Sequence, residues 1–178
     1  KIWNVATGDV IRTLTGHSNA VWSLAVLPDG KLASGSEDKT IKIWNVATGE
    51  VIRTLTGHSN TVRSLAVLPD GKLASGSSDN TIKIWNVATG EVIRTLTGHS
   101  DGVESLAVLP DGRLASASYD DTIKIWNVVT GEVIKTLTGH SSWVWSLAVL
   151  PDGRLASGSY DKTIKIWQML SIDVNAKN

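Results

Sequence analysis

The sequence of 178 residues contains no cysteine, which excludes a disulfide framework, a thiolate zinc site and a cysteine nucleophile. It also has no excess charge of either sign, because 17 Lys and Arg are balanced by 17 Asp and Glu. A neutral chain lacks the basic stripe that binds nucleic acid or an anionic membrane surface. No apolar run approaches the roughly 18 residues that a membrane-spanning helix needs. We therefore expect neither nucleic acid nor a membrane as a partner.

The sequence says little about cellular location. Its first ten residues, KIWNVATGDV, do not resemble a signal peptide. Because the chain begins at Lys1 rather than at a methionine, its N-terminus is no guide to targeting. The absence of cysteine fits a reducing compartment. On this ground we expect a cytoplasmic location.

An internal repeat explains the uneven aromatic content of eight Trp, two Tyr and no Phe. The segment KIWN begins at residues 1, 42, 83 and 124, and KIWQ begins at residue 165, so the spacing is 41 residues throughout. The 16 Gly and 4 Pro divide evenly among four copies of this unit. Such regularity predicts a stacked or radial architecture without internal domain boundaries.

Each unit contains four short apolar runs that are separated by turn residues. In the first unit these runs are 10–14, 21–27, 32–36 and 40–45. Pro28-Asp29-Gly30 predicts a type I turn with glycine in the left-handed region. No run has the length or the 3.6-residue period of a helix. The unit therefore predicts a four-stranded antiparallel sheet, and runs that are apolar on both sides indicate sheets stacked between other sheets.

Three signals recur in the units: a Gly-His pair, an SGS-x-D turn, and a strand that ends in Trp followed by Asn or Gln. At a spacing near 40 residues, this pattern resembles the WD-repeat β-propeller family over residues 1–168. The dipeptide is never Trp-Asp, but asparagine serves a turn at the end of a strand about as well as aspartate. The resemblance implies an all-β propeller of four-stranded antiparallel blades over 1–168, followed by a C-terminal tail at 169–178.

The resemblance also implies one buried hydrogen-bond tetrad in each unit. In a tetrad the indole N–H donates to serine, the serine hydroxyl donates to imidazole, and the imidazole N–H donates to a carboxylate. Tryptophan suits this role because it combines a large apolar area with one donor. The implied tetrads are His17, Ser34, Asp38 and Trp44; His58, Ser75, Asp79 and Trp85; His99, Ser116, Asp120 and Trp126; and His140, Ser157, Asp161 and Trp167.

A set of Ser, His and Asp also allows a hydrolase. Against this, the set occurs four times at identical spacing, and no Gly-x-Ser-x-Gly nucleophile elbow is present. One histidine per unit offers no local ligand spacing for a metal, and no glycine-rich phosphate loop occurs. We therefore expect structural tetrads, no enzymatic activity, no metal and no cofactor.

The four units differ mainly on one face, which carries the loop before the inner strand and the turn between the second and third strands. Because these positions accept Arg, Glu and Trp interchangeably, we expect them to be exposed. Exposed aromatic clusters with polar rims are typical of recognition sites, although drift among recently duplicated units is the alternative. The candidate partner-binding residues on this face are Trp22, Glu37, Arg63, Glu104, Tyr119, Trp143, Trp145 and Tyr160, with Asp121 and Lys162 at the rim.

The expected function is that of a non-enzymatic scaffold, a rigid propeller that presents this variable face to a protein or peptide. A glycan-binding propeller is the alternative, because Trp and Tyr rings also stack on sugars.

The resemblance also bears on assembly, because rings of this family usually have seven or eight blades. We expect two chains related by a two-fold axis to form an eight-bladed homodimer, in which the first outer strand (10–14) completes the last blade of the partner. Lys165–Gln168 would then displace Lys1–Asn4. The alternative is an excised piece of a longer propeller chain.

Overall fold

The structure is a computed structural model in which residues 1–169 are described, so the predicted tail from residue 170 onward lies outside the described residues. The described chain forms seventeen strands in five sheets. The first sheet pairs β1 (Ile2–Trp3) with β2 (Val10–Arg12). The strands that follow are β3 (Val21–Val26), β4 (Leu32–Ser36), β5 (Ile41–Trp44), β6 (Val51–Leu55), β7 (Val62–Val67), β8 (Leu73–Ser77), β9 (Ile82–Trp85), β10 (Val92–Leu96), β11 (Val103–Val108), β12 (Leu114–Ser118), β13 (Ile123–Trp126), β14 (Val133–Leu137), β15 (Val144–Val149), β16 (Leu155–Ser159) and β17 (Ile164–Trp167).

The predicted four-stranded antiparallel sheets are confirmed for three units, in the orders β3-β4-β5-β6, β7-β8-β9-β10 and β11-β12-β13-β14. The register is the same in each unit. Ser34 lies opposite Lys42, for example, and Ser75 lies opposite Lys83. Within residues 1–169 the last sheet has three strands, in the order β15-β16-β17, one fewer than the other units.

The turn after each third strand shows why asparagine can follow tryptophan. The Asn45 side-chain oxygen accepts hydrogen bonds from the N–H groups of Ala47 and Thr48, at 2.9 and 3.1 Å. A carboxylate would accept the same two bonds. The turn closes at Gly49, whose φ of 84° favours glycine. Asparagine therefore forms the same turn that aspartate would form in a Trp-Asp dipeptide.

The core lies between consecutive sheets rather than within one. One cluster joins Ile41 and Ile43 of the β3–β6 sheet to Val62 and Leu65 of the next inner strand, and two further clusters repeat this arrangement along the chain. A hydrogen bond also joins the two inner strands, since the Leu65 N–H donates to Ser23 Oγ at 3.0 Å. Both faces of an internal sheet are thereby covered, which explains runs that are apolar on both sides.

The described sheets form an open arc and do not close into a ring. The inner strand β3 at one end and strand β17 at the other leave apolar side chains exposed. Strand β2, which we expected to complete a last blade, pairs with β1 of its own chain. The arc therefore has two open ends, each of which exposes a face that internal sheets bury.

Candidate functional site

The tetrad of the third unit is a continuous chain of short hydrogen bonds. Trp126 Nε1 donates to Ser116 Oγ at 2.7 Å, and Ser116 Oγ lies 2.7 Å from His99 Nε2. His99 Nδ1 lies 2.7 Å from Asp120 Oδ2, while the Thr122 hydroxyl donates to Oδ1 at 2.6 Å. The Ser116 hydroxyl has one proton and donates it in the hydrogen bond to His99 Nε2. The imidazole proton therefore lies on Nδ1, which donates a hydrogen bond to the Asp120 carboxylate.

The structure brings all sixteen predicted tetrad residues together in four such groups. The distances from indole to serine, from serine to imidazole and from imidazole to carboxylate all lie between 2.6 and 2.8 Å. Each tetrad serine is buried. In each unit these hydrogen bonds join the loop before the inner strand to the second and third strands of the sheet.

The electrostatics of the tetrad aspartates agree with a connecting role. Burial alone would raise the pKa of Asp120, but hydrogen bonds from His99 and Thr122 outweigh it and hold the pKa well below its usual range. The same balance, with His58 and Thr81 as donors, lowers the pKa of Asp79. Each carboxylate is therefore an ionised acceptor at neutral pH and holds no proton to transfer.

Four rings of the variable face form one cluster, here called the aromatic patch: Tyr119, Trp143, Trp145 and Tyr160. The Tyr119 ring centroid lies 4.8 Å from that of Trp143 and 5.2 Å from that of Trp145. Trp143 lies 5.8 Å from Trp145 and 5.6 Å from Tyr160. Both tryptophans and Tyr160 remain exposed, at 43%, 42% and 64%. The third and fourth units thus share a contiguous aromatic surface.

A second group of residues, here called the polar strip, runs from the first to the third unit and consists of Trp22, Arg63 and Glu104. The Arg63 guanidinium carbon lies 4.4 Å from the centre of the Trp22 ring. Arg63 Nε donates to Ser78 Oγ at 3.0 Å and lies 3.5 Å from Glu104 Oε1. Glu104 in turn interacts with Tyr119, so the polar strip adjoins the aromatic patch.

Arg63 and Tyr119 are only partly exposed, and the expectation that every variable position is exposed is wrong for Glu104. Its side chain is 7% exposed, and Oε1 has no hydrogen-bond partner. Burial raises the pKa of the Glu104 carboxyl, and the positive charge of Arg63 offsets part of this effect. Gly102 leaves space here, because a Cβ atom at that position would lie 3.4 Å from both Glu104 Oε1 and the Tyr119 ring.

The contact between Arg63 and Glu104 could have been predicted from the sequence. The two residues occupy the same position in consecutive units, and equal positions of adjacent sheets are neighbours when the inner strands stack side by side. Glu37, by contrast, is exposed in the first unit, and the structure gives it no ring contact or ion pair with the aromatic patch. Within residues 1–169 the structure contains no cluster of side chains that could hold a metal ion. No helix in the same range is long and apolar enough to cross a membrane.

The repeated four-stranded sheets, the tetrads and the stacking of inner strands define a β-propeller class of protein. The family model described as "WDR3 first beta-propeller domain" matches residues 1–169. The chain belongs to the WD-repeat β-propeller family.

A solved structure agrees with this assignment. The crystal structure of the WD40 beta propeller domain of Doa1 is 34% identical to this chain and superposes with a TM-score of 0.83. That match covers 88% of this chain and 53% of the Doa1 chain, so the present chain spans about half the length of that chain. No curated protein matches the chain.

Proposed function

We propose that this chain is a non-enzymatic interaction scaffold whose aromatic patch binds a protein or a peptide. The observation that carries the proposal is the contiguous surface of Trp143, Trp145 and Tyr160, which remains exposed although its rings contact one another. Exposed aromatic residues are enriched at recognition hot spots. The tetrads beneath the loops fix the backbone, so a partner loses little affinity to ordering of the surface. Membership of a family whose propellers generally mediate protein interactions supports this function.

Replacing Trp143 and Trp145 by alanine is expected to weaken peptide binding at least about tenfold, because each ring supplies a large apolar contact. The measurement is a peptide array followed by titration of the best ligand. Val129→Ala is the control, because Val129 is exposed and lies in the turn after a third strand, away from the variable face; it should leave affinity unchanged. Equal losses in both variants would contradict the assignment of the aromatic patch as the binding site. Ligands found only on a parallel glycan array would show that the patch binds a sugar and not a peptide.

We also propose that two copies of the chain associate into a closed eight-bladed ring. The support is the open arc, whose ends expose apolar strands that internal sheets cover. Light scattering should give a mass of about 38 kDa, twice the 19.0 kDa of one chain, because a two-fold arrangement closes at two copies. A stable particle with the mass of a single chain would refute this assembly.

A further inference from the structure

The two ends of the arc expose complementary halves of a contact that the chain buries internally. Val62 packs on Gly35 of the preceding sheet, where a Cβ atom would lie 2.7 Å from the valine, and Val103 packs on Gly76 in the same way. At the first end Val21 holds the valine position and is 50% exposed, whereas Val62 and Val103 are fully buried. At the last end Gly158 holds the glycine position, and nothing lies within 4 Å of where its Cβ would be.

Neighbouring positions show the same division. Leu24 on the first end is 60% exposed, whereas its equivalent Leu65 is 8% exposed. Ile164 on the last end is 77% exposed, whereas its equivalent Ile123 is fully buried. Each end therefore exposes apolar side chains that an adjacent sheet covers at the internal interfaces.

The hydrogen bonds between sheets are interrupted at the same two places. The Leu106 N–H donates to Ser64 Oγ at 3.0 Å, and the Leu147 N–H donates to Ser105 Oγ at 3.2 Å. In this series the Leu24 N–H is the next donor and Ser146 Oγ is the next acceptor, and each lies at an open end of the described chain. One bond from Leu24 to Ser146 would continue the series.

A cleft opens at the first end of the arc. It measures about 720 Å³, lies between the β1–β2 pair and β3, and is lined in part by Ile2, Leu14 and Leu24. Strand β2 already holds an outer position, because Arg12 donates to the Thr48 carbonyl at 3.0 Å just as internal outer-strand arginines do. The cleft therefore lies where the inner strands of a preceding sheet would be.

The pairing within each chain indicates which strand yields its place. Strand β17 pairs with β16 at four residues, and its Trp167 donates to Ser157 Oγ at 2.8 Å. Strand β1 pairs with β2 at only two residues, and its Trp3 is exposed. Less is lost when β1 leaves its position than when β17 does.

We infer that a second copy of this chain covers both ends, with Val21 of each copy packed on Gly158 of the other. The β15-β16-β17 sheet of one copy enters the cleft of the other and displaces β1. Strand β17 then pairs with β2 in the internal register, in which Ile43 lies opposite Arg53, so Ile166 meets Arg12. This contact specifies, and rests on, the self-association proposed above. The second copy is chosen because the contact continues an interface already built from the same sequence.

Cysteine cross-linking tests this contact, and the native chain contains no cysteine that would interfere. A Cβ atom at Gly35 would lie 3.3 Å from Val62 Cβ, and one at Gly76 would lie 3.4 Å from Val103 Cβ, which is close to the separation in a disulfide. The double variant V21C/G158C should therefore oxidise to a covalent dimer that runs at twice the mass of one chain on a denaturing, non-reducing gel. The matched control G76C/V103C should form its disulfide within one chain and run at the single mass.

Each other outcome overturns the inferred arrangement, because it removes either the contact itself or its two-fold symmetry. V21C/G158C without a disulfide would show that the two positions do not meet, and a disulfide at the single mass would show that one chain closes on itself. A ladder of higher masses would indicate an open filament in place of a two-fold ring. If the wild-type mass is about 38 kDa but no cross-link forms, the contact is wrong and the proposed ring stands. A wild-type mass of one chain removes both, while the peptide-binding proposal keeps its own test.

Discussion

Replacing His99 by alanine is expected to destabilise the protein by roughly 3 kcal/mol. The imidazole is fully buried and joins Ser116 to Asp120 through two hydrogen bonds of 2.7 Å. Its removal leaves the ionised Asp120 without its imidazole donor and leaves a cavity next to Trp126, whose ring centroid lies 6.0 Å from that of His99. Both the two lost hydrogen bonds and the cavity act against the folded state.

Urea denaturation followed by tryptophan fluorescence measures this loss. Thr97→Ala is the matched control, because Thr97 is exposed and lies two residues before His99. It should cost less than about 0.5 kcal/mol. If the two variants unfold at the same urea concentration, the tetrads do not stabilise the fold. Sheets that stack only on their neighbours can unfold in parts, so the transition should be followed by circular dichroism as well.

The strands could be predicted from the sequence because every local signal agrees with the others. The run predicted at 21–27 is β3 (Val21–Val26), and the run predicted at 32–36 is β4 (Leu32–Ser36). The turns that bound them are fixed by residues with one clear preference, such as Gly30 at a φ of 79°. The 41-residue repeat supports each predicted strand, because the same run of residues recurs in the other units.

The burial of individual variable residues was harder to predict, because it depends on neighbours in adjacent sheets. Arg63 and Glu104 each look like a surface charge when one unit is considered alone. The structure places them side by side, with Arg63 against Trp22 and Glu104 beneath Tyr119 and beside Gly102. Contact across units, and not the pattern within a unit, decides their exposure.

How the arc closes can be predicted from the sequence only indirectly. Within residues 1–169 the pair β1–β2 precedes the first four-stranded sheet, and the last sheet contains three strands. The repeat alone does not predict what packs against these two ends. The exposed Val21 and the open space at Gly158 support the proposed contact between two copies, because they can be compared with internal copies of the same contact.

Arg63→Ala is expected to cost roughly 2 kcal/mol at neutral pH, because the carboxylate of Glu104 would stay buried without its nearest cation. The change also removes the hydrogen bond to Ser78 and the stacking on Trp22. Adding Glu104→Gln should recover part of the loss, because the variant then buries no charge. A double-mutant cycle from urea denaturation measures this coupling, and strictly additive losses would show that the two side chains do not interact.

The pH dependence of Arg63→Ala separates the buried charge from the lost packing. Burial raises the pKa of the Glu104 carboxyl above its unfolded value, so the folded state binds its proton more tightly than the unfolded state does. The penalty is therefore full above the raised pKa and declines as the pH falls through it. Without Arg63 the pKa should rise further, since the offsetting positive charge is gone. The deficit of Arg63→Ala relative to wild type should therefore be smaller at about pH 5 than at about pH 8, and this difference should vanish in the Glu104→Gln background. A deficit that is independent of pH would assign the whole loss to packing against Trp22 and Ser78.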